Sequence, residues 1–449
     1  MKMPEKPRSV KQILEEKRES ITKVMPELID SELLKRYNDE YLHWDQLRRR
    51  ELPTDPEVVW ALMKMLRRSQ YINVIIGDTS LEYHTTTPSQ QILHVLDTGA
   101  SGYIVMSGEP LIKEEMDKYV IGSLMEEAIA SSQLEGAVTT TTAAKRMLRE
   151  KRKPKSPSEQ MIFNNFMTMQ KIKDVKNKPL TVELILELHY LTTLNTLDDP
   201  ADGGRFRTDD ETVVGDVFEV EKIYHQPPSF TRIQKYMQSL CDFANKDQKG
   251  EFQHPLIKAI LIHYMIGYIH AFVDGNGRLA RALMYWYALR NDYWLFEHMA
   301  ISKVIKERKG RYLNAYLYTE TDDDDVTYFI NYNLECMKEA LENTRKYIER
   351  KQKEHYEVQN LINQIPELNF RQAAILKDLA KHKGEPISVI ETSSKYGVVP
   401  QTARTDLLLL LKLGYVEMRK MGRKLVFFYR EDGTRIDDKA NQEAIRRSG

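Results

Sequence analysis

Residues His270 to Arg281 (His-Ala-Phe-Val-Asp-Gly-Asn-Gly-Arg-Leu-Ala-Arg) bring together side chains that could act on a phosphate. The preceding segment, Pro255 to Ile269, is apolar nearly all round, which predicts a buried helix that ends at His270. At that end the helix dipole favours a positively charged imidazole, and the helix holds the ring in a fixed place. Since histidine exchanges protons near neutral pH, His270 is a candidate general base.

The residues after His270 could bind a polyphosphate. Gly275 and Gly277 permit backbone conformations that other residues resist, and such a turn before a helix presents free N–H groups to an anion. Arg278 and Arg281 share a face near the positive end of the next helix, where two cations make sense if a polyphosphate binds. Asp274 is placed to hold Mg²⁺ on phosphate oxygens. Phosphoryl-type chemistry requires this set of a base, an anion-binding turn, cations and a metal.

Simpler interpretations explain the same residues less well. An isolated histidine is more often structural than catalytic, and Gly-x-Gly alone is a turn. An EF-hand loop would need calcium ligands where Arg278 and Tyr285 stand, and no Gly-Lys-Ser/Thr follows for a Walker A loop. The ordered combination within one short segment therefore favours a catalytic site.

The segment resembles the signature of the Fic family, H-x-F-x-[DE]-G-N-G-R-x-x-R, and it matches at every specified position. Ala271 stands where the family frequently has proline, and we expect this to alter the turn only slightly. The resemblance covers roughly residues 110 to 340. It implies transfer of AMP from ATP, with Mg²⁺, to a hydroxyl side chain of a target protein.

The resemblance also implies a role for each residue of the segment. The general base would be His270, and Asp274 would coordinate Mg²⁺ at the α- and β-phosphates. Phe272 would anchor the loop. Gly275, Asn276 and Gly277 would form an anion cradle, with Asn276 near the α-phosphate. Arg278 would bind the β-phosphate, and Arg281 would bind the γ-phosphate.

A second motif, Ser131 to Gly136 (Ser-Ser-Gln-Leu-Glu-Gly), matches the inhibitory signature of the family, [ST]-x-x-x-E-[GN]. Taken alone, the pattern is also typical of an ordinary helix end. A carboxylate in the last turn of a helix lies at the unfavourable end of the dipole and gains from a nearby cation. The resemblance supplies that cation, since it implies that Glu135 pairs with Arg281 and blocks the productive position of the γ-phosphate.

Residues 203 to 228 are strand-like, with glycine and proline punctuation, and they predict a β-hairpin inside a helical region. The hairpin is similar to the flap of the Fic family, which holds the backbone of the target as an added strand. Gly204, Arg207, Val214 and Gly215 occupy the recognisable places in it.

Residues 366 to 430 predict a winged helix-turn-helix. This stretch has 12 Lys/Arg and 6 Asp/Glu, a net charge of +6. One hypothesis is DNA binding, in which Gln401, Thr402 and Arg404 face the major groove, while Arg423 and Lys424 on the wing contact phosphates. The alternative, nearly as well supported, is a winged helix used for protein contacts or dimerisation.

Composition limits the remaining possibilities. The 449 residues carry 66 basic and 66 acidic side chains, and this neutral balance argues against a protein that coats nucleic acid along its whole length. The two cysteines, Cys241 and Cys336, exclude a disulfide framework and a cysteine-rich zinc site. The start of the chain has no apolar signal-like segment, and the longest apolar tract is too short and too polar to span a bilayer. We therefore expect a cytoplasmic protein without a membrane partner.

The predicted fold is mainly α, with a Fic helical core, a β-hairpin flap, a helical N-terminal region and a C-terminal winged helix-turn-helix. In the N-terminal region, Tyr71 to Ile76, Gln91 to Val95 and Tyr103 to Met106 read as short strands. The acidic run Asp322 to Asp325 reads as a solvated loop or helix start. The predicted divisions are 1–112 for the N-terminal region, 113–340 for the core with an inhibitory helix at 113–136, 341–365 for a helical connector, 366–430 for the winged helix and 431–449 for a tail.

The leading functional hypothesis is a protein adenylyltransferase inhibited by its own Glu135. One alternative uses the same site to remove AMP, with Glu135 orienting a water molecule. Another is a DNA-binding regulator whose core only senses a nucleotide. Self-modification, a homodimer and UMP or GMP as the transferred group stay open.

Overall fold

Helices make up most of the chain, which confirms the predicted mainly α fold. The computed structural model describes residues 3–101, 104–106, 109–111, 123–211, 214–215, 223–246, 252–382, 384–421 and 424–430. The chain divides into two units, Met1–Lys346 and Tyr347–Gly449. Within the described residues, no helix is both long and apolar enough to cross a membrane.

The first part of unit 1 consists of helices and two small antiparallel hairpins. Helix α5 illustrates why the helices begin where they do, since the side chain of Asp55 accepts the N–H of Glu57 and Pro56 occupies the first helical position. The elements in chain order are α1 (Val10–Glu16), α2 (Arg18–Leu28), α3 (Glu32–Asp39), α4 (Trp44–Leu47), α5 (Pro56–Arg68), β1 (Ile72–Ile76), β2 (Thr79–Tyr83), α6 (Thr87–Ala100), β3 (Ile104–Met106) and β4 (Glu109–Leu111).

The predicted strand at Gln91 to Val95 is wrong, because these residues lie inside helix α6. The buried residues of α6 include Ser89, Leu93, Leu96 and Ala100, which recur at helical spacing. The helix also begins with a threonine N-cap followed by proline two residues later. Both signals were present in the sequence and outweigh the β-leaning composition of the short run.

The second part of unit 1 is the helical core. As predicted, α12 is buried along almost its whole length, and α13 packs against it with a similarly buried surface. The elements in chain order are α7 (Ser123–Leu134), α8 (Thr141–Arg149), α9 (Pro157–Val175), α10 (Val182–Thr193), β5 (Val214–Gly215), β6 (Ile223–His225), α11 (Ile233–Asn245), α12 (Pro255–Ile269), α13 (Asn276–Arg290), α14 (Ile301–Glu307), α15 (Lys309–Thr321) and α16 (Thr327–Gln364).

Two predictions for the core fall partly outside the described residues. The inhibitory helix was predicted over 113–136, and the structure describes it as α7 from Ser123, with residues 113–122 lying outside the described part. In the predicted hairpin at 203–228, β5 pairs antiparallel with β6, and residues 216–222 between them lie outside the described part. Residues 203–208 do not form a strand; they follow a short 3₁₀ turn at Pro200–Asp202.

The acidic run between α15 and α16 is only partly solvated: Asp323 is exposed, but two of its four aspartates are buried, contrary to the prediction. Asp322 is 2% exposed and Asp325 is fully buried. The ammonium group of Lys64 on α5 lies 3.0 Å from Asp322 Oδ2 and 3.3 Å from Asp325 Oδ2. The hydroxyl of Tyr71 donates to Asp325 at 2.5 Å, and the hydroxyl of Tyr328 donates to Asp322 at 2.8 Å. The run therefore joins the N-terminal part of unit 1 to the start of α16.

Unit 2 contains the end of α16 and a small α/β arrangement. Its elements are α17 (Phe370–Lys381), β7 (Ile387–Ser388), α18 (Val389–Tyr396), α19 (Pro400–Lys412), β8 (Val416–Met421) and β9 (Lys424–Tyr429), with the strands in the order β7-β9-β8. The strand β7 was not predicted, because two residues are too few to show an alternating pattern. The winged helix-turn-helix stays a prediction, and these elements are compatible with it.

The predicted nucleic-acid contacts differ in how well the structure describes them. Gln401 and Arg404 are exposed in the first turns of α19, and Thr402 is half-buried. Lys424 begins β9, whereas Arg423 and the tail at 431–449 lie outside the described residues. Their contact with DNA stays a prediction.

Candidate active site

His270 lies at the C-terminal end of α12 in the left-handed region, with φ 46° and ψ 54°. Its Nδ1 atom is 3.2 Å from the carbonyl oxygen of Gly267. A carbonyl can only accept a hydrogen bond, so Nδ1 carries the proton and Nε2 keeps its lone pair. Burial lowers the pKa of His270 and so opposes the charge that the helix dipole would favour. The structure therefore presents a neutral imidazole with Nε2 as its basic atom.

The loop after His270 is closed by Asn276. The side-chain amide of Asn276 donates to the carbonyl oxygen of Phe272 at 2.7 Å, and its oxygen accepts the N–H of Phe272 at 3.1 Å. Both polar ends of the side chain are thus used within the loop. The side chain of Asn276 thus closes the loop, and its backbone N–H lies at the start of α13.

Gly275 provides the turn that leads into α13. Its φ is +87°, and a Cβ at this position would lie 2.6 Å from Cγ2 of Thr193. Both the backbone conformation and the close approach therefore require glycine. Because the N-cap has no side chain to satisfy them, the first N–H groups of α13 are available to an anion.

The two arginines of the motif are fully buried. Arg278 donates to the carbonyl oxygen of Thr192 at 3.1 Å and to Asp274 Oδ2 at 2.9 Å. Arg281 donates through Nε to Ser131 Oγ at 2.8 Å and through one terminal nitrogen to Glu135 Oε1 at 2.8 Å. Within the described residues, the Nε of Arg278 and the second terminal nitrogen of Arg281 have no partner. Buried donors without acceptors are what an anionic ligand would satisfy.

Glu135 follows directly after α7 and lies over the start of α13. Its side chain is 32% exposed, and a Cβ added at Gly277 would lie only 2.2 Å from its Oε1 atom. Burial works against the charged form, yet the Arg281 guanidinium holds the pKa of Glu135 below its usual value. The ion pair implied by the sequence is therefore present, and the carboxylate occupies the space beside Gly277. Gly136 has a φ of +98° and turns the chain away from α7.

His189 on α10 was missed in the sequence. Its ring stacks on Phe272 at a centroid distance of 3.8 Å. Nε2 donates to the carbonyl oxygen of Asp274 at 2.8 Å, and Nδ1 accepts the N–H of Gly204 at 3.0 Å. Burial lowers the pKa of His189 to about 4, so the ring is neutral and holds the motif loop in place. The only signal in the sequence is a histidine on the apolar face that includes Leu188.

Arg207 fixes the start of the hairpin to the motif loop. Its backbone N–H donates to Ala271 at 2.9 Å, and its Nε donates to the carbonyl oxygen of His270 at 3.0 Å. A terminal nitrogen donates to Asp210 at 2.8 Å, and the side chain is buried. Arg207 therefore holds the loop rather than facing a target. Val214 and Gly215 form β5, which pairs antiparallel with β6 in the hairpin.

His225 on β6 attaches the hairpin to α12 and was also missed. Its Nε2 lies 2.7 Å from the carbonyl oxygen of Tyr268, and its Nδ1 lies 2.9 Å from Glu320 Oε1. Both partners are acceptors, so the ring is doubly protonated in this arrangement. Burial opposes this charge, but the hydrogen bond and the charge of Glu320 raise the pKa of His225 overall.

Asp274 is the residue that could hold a divalent cation. Its Oδ1 accepts the N–H of Gly275 at 2.6 Å, and its side chain is 52% exposed. In the described part of the chain, no group of three or more His, Cys, Asp or Glu residues could form a metal site by itself. One carboxylate beside a turn whose N–H groups could bind a phosphate would fit Mg²⁺, which is commonly held by one or two carboxylates and the phosphates of the substrate.

Comparison with known proteins agrees with this geometry. Residues 179–288 match the model of the Fic/DOC family. A relative from Drosophila willistoni, named "Protein adenylyltransferase Fic", is 29% identical over 168 residues, which are 37% of this chain and 30% of the relative. The protein of the same name from Drosophila sechellia is 29% identical over 182 residues, 40% of this chain and 32% of the relative. The chain thus spans about a third of the length of these curated relatives.

A solved structure, Fic-1 (residues 134–508) from C. elegans, shares the fold with a TM-score of 0.51 at 16% identity. The match covers 71% of this chain and 84% of the C. elegans structure. The family match includes the His270 to Arg281 segment. The chain therefore carries a segment, residues 179–288, that matches the Fic/DOC family.

Proposed function

We propose that this protein transfers AMP from ATP to a hydroxyl side chain of a target protein, and that Glu135 restrains the reaction. The observation that carries the proposal is the position of the Glu135 carboxylate. It is bonded to Arg281 and lies against Gly277, where an anion at the start of α13 would bind. The names of the relatives support adenylyl transfer as the reaction.

In the proposed reaction, Nε2 of His270 takes the proton from the target hydroxyl as its oxygen attacks the α-phosphorus. The bond between the α-phosphorus and the oxygen that bridges to the β-phosphorus breaks, and pyrophosphate leaves. The N–H groups at the start of α13 stabilise the charge on the α-phosphate. Arg278 and Arg281 neutralise the departing phosphates through charge-assisted hydrogen bonds. When bound at Asp274, Mg²⁺ supplies further charge neutralisation on the phosphate oxygens.

The restraint follows from competition for one cation. The γ-phosphate would need the guanidinium of Arg281, which already donates to Glu135 and Ser131. A carboxylate and a phosphate cannot share this place without strong repulsion, because both are negative. ATP therefore binds in a position that does not align its α-phosphate with His270 unless Glu135 moves away.

The hairpin is the proposed contact for the target protein. An extended segment of the target would add to β6 through backbone hydrogen bonds. His225 and Arg207 hold the two sides of the hairpin on α12 and on the motif loop. The target hydroxyl would thereby be placed close to His270.

The test is incorporation of label from ATP labelled at the α-phosphate, with Mg²⁺, into the protein itself and into proteins of a cell lysate. We expect Glu135→Gly to incorporate at least about tenfold more label than wild type, since about 1.4 kcal/mol corresponds to a factor of ten. Glu150→Gly is the matched control, because Glu150 also follows directly after a helix but pairs only locally with Arg146. No labelling by Glu135→Gly would contradict the proposal.

A further inference from the structure

Helix α7 carries a second carboxylate, Glu127, that the proposed reaction leaves unused. Its side chain is 1% exposed. Its Oε2 atom accepts the backbone N–H of Ser302 at 2.8 Å and the hydroxyl of Tyr285 at 2.8 Å, and its Oε1 atom accepts the hydroxyl of Ser302. A buried carboxylate with three donors from two other helices is a fixed contact rather than a solvated charge.

Glu127 acts as the missing N-cap of helix α14. The N-cap residue of α14 is Ala300, which has no side-chain oxygen to accept an N–H group. The N–H of Ser302, one residue inside the helix, is instead accepted by Glu127. The negative charge also lies at the positive end of α14. The start of α14 is therefore completed by a residue of α7.

The segment that contains α14 also contacts the last turn of α7. Lys309, which begins α15, donates to the carbonyl oxygen of Leu134 at 3.1 Å. Lys306 donates to the side chain of Gln133 at 2.6 Å. A lysine at the last turn of a helix donates to a carbonyl that has no partner within the helix, and its positive charge interacts favourably with the helix dipole. Residues 302–309 thus contact α7 at Glu127, near its middle, and at its last turn.

The residues of α7 that face α13 form one row. Three residues spaced by four lie along one side of α7 and its end: Glu127, Ser131, and Glu135, which directly follows the helix. Tyr285 and Arg281 are also spaced by four and meet this row, since Tyr285 contacts Glu127 and Arg281 contacts Ser131 and Glu135. A shift of α7 by one turn would therefore break these contacts together.

We propose that Glu127 is a positioning residue for the restraint, because its cap on α14 fixes α7 where Glu135 meets Arg281. The inference rests on the proposed function for its effect on activity, but not for its effect on α7. Loss of the cap leaves buried donors of Ser302 and Tyr285 without a charged acceptor, which loosens α7 and lets Glu135 leave Arg281 more often.

The experiment compares Glu127→Gln with Glu126→Gln. Glu126 is a neighbouring carboxylate on α7 whose ion pairs, with Lys145 and at 3.9 Å with Lys303 of α14, are partly exposed to solvent. Hydrogen exchange, read by mass spectrometry on a peptide over residues 128–136, is the measurement that needs no activity. We expect exchange at least about tenfold faster in Glu127→Gln and unchanged in Glu126→Gln. Tyr285→Phe keeps the ring but removes a donor to Glu127 and the acceptor of the Ile301 N–H, and it should change exchange in the same direction.

Labelling from ATP separates positioning from a general loss of structure. Glu127→Gln should raise incorporation at least about threefold when Glu135 is present, and it should add nothing in the Glu135→Gly background. Unchanged exchange over 128–136 would overturn the inference whatever the labelling shows. An equal increase in the Glu135→Gly background would also overturn it, because Glu127 would then act independently of Glu135. Failure of the proposed function is seen separately, as no labelling by Glu135→Gly itself.

Discussion

Changing His270 to alanine in the Glu135→Gly variant should lower the rate of AMP incorporation about 100- to 10,000-fold, the range that a general base contributes. The reason is geometric, because Gly267 fixes the proton on Nδ1 and leaves Nε2 as the basic atom. The rate is measured with α-labelled ATP at saturating concentration. His94→Ala is the control, since His94 is exposed on α6 and should leave the rate unchanged.

The pH dependence of the same variant tests the state of the ring. Burial lowers the pKa of His270, so the ring is already neutral at pH 7. The rate of Glu135→Gly should therefore stay constant as the pH falls to about 6.5, the ordinary pKa of histidine, and decline only below it. A decline that begins well above pH 7, or a His270→Ala variant with full activity, would contradict the assignment of the base.

Changing Lys64 to methionine should lower the free energy of unfolding of unit 1 by about 3–5 kcal/mol, the usual cost of leaving a buried charge without its partner. Lys64 is the cation between Asp322 and Asp325, and all three side chains are buried. Burial raises the pKa of Asp322 to about 6, whereas Lys64 helps to lower the pKa of Asp325 against the effect of burial. Without the lysine, two buried carboxylates face each other.

Urea unfolding followed by tryptophan fluorescence measures this effect, because all four tryptophans lie in unit 1. Lys35→Met is the control, since Lys35 makes an exposed pair with Glu32 and should cost less than about 0.5 kcal/mol. The double variant Lys64→Met/Asp325→Asn should cost less than the sum of its single changes. Equal effects of Lys64→Met and Lys35→Met would show that the buried network does not contribute as the structure indicates.

The chemistry of the motif could be predicted because its parts are close in the chain. The buried helix before His270, the glycine turn and the arginines on α13 follow from local patterns of apolar residues, glycine and charge. The Glu135–Arg281 pair came instead from the family resemblance, since the two residues are 146 positions apart. The close approach of Glu135 to Gly277 can be seen only in the three-dimensional structure.

The missed residues depend on contacts between distant elements. His189 and His225 look like ordinary histidines in the sequence, and only the carbonyls and the carboxylate around them define their protonation. Asp322 and Asp325 belong to a charged run that usually indicates solvent exposure, and Lys64, which pairs with both, lies in another helix. For α6 the helical spacing of the apolar residues was present in the sequence, but the strand prediction for Gln91 to Val95 rested only on the composition of that short segment.

The most direct test of the central claim is to ask which phosphorus of ATP is transferred. Glu135→Gly is incubated with Mg²⁺ and either α-labelled or γ-labelled ATP, and the label on protein is measured after denaturing separation. The proposed reaction predicts incorporation from α-labelled ATP, none from γ-labelled ATP, and the loss of incorporation when His270 is also changed to alanine. Incorporation from γ-labelled ATP, or from neither, would contradict adenylyl transfer restrained by Glu135.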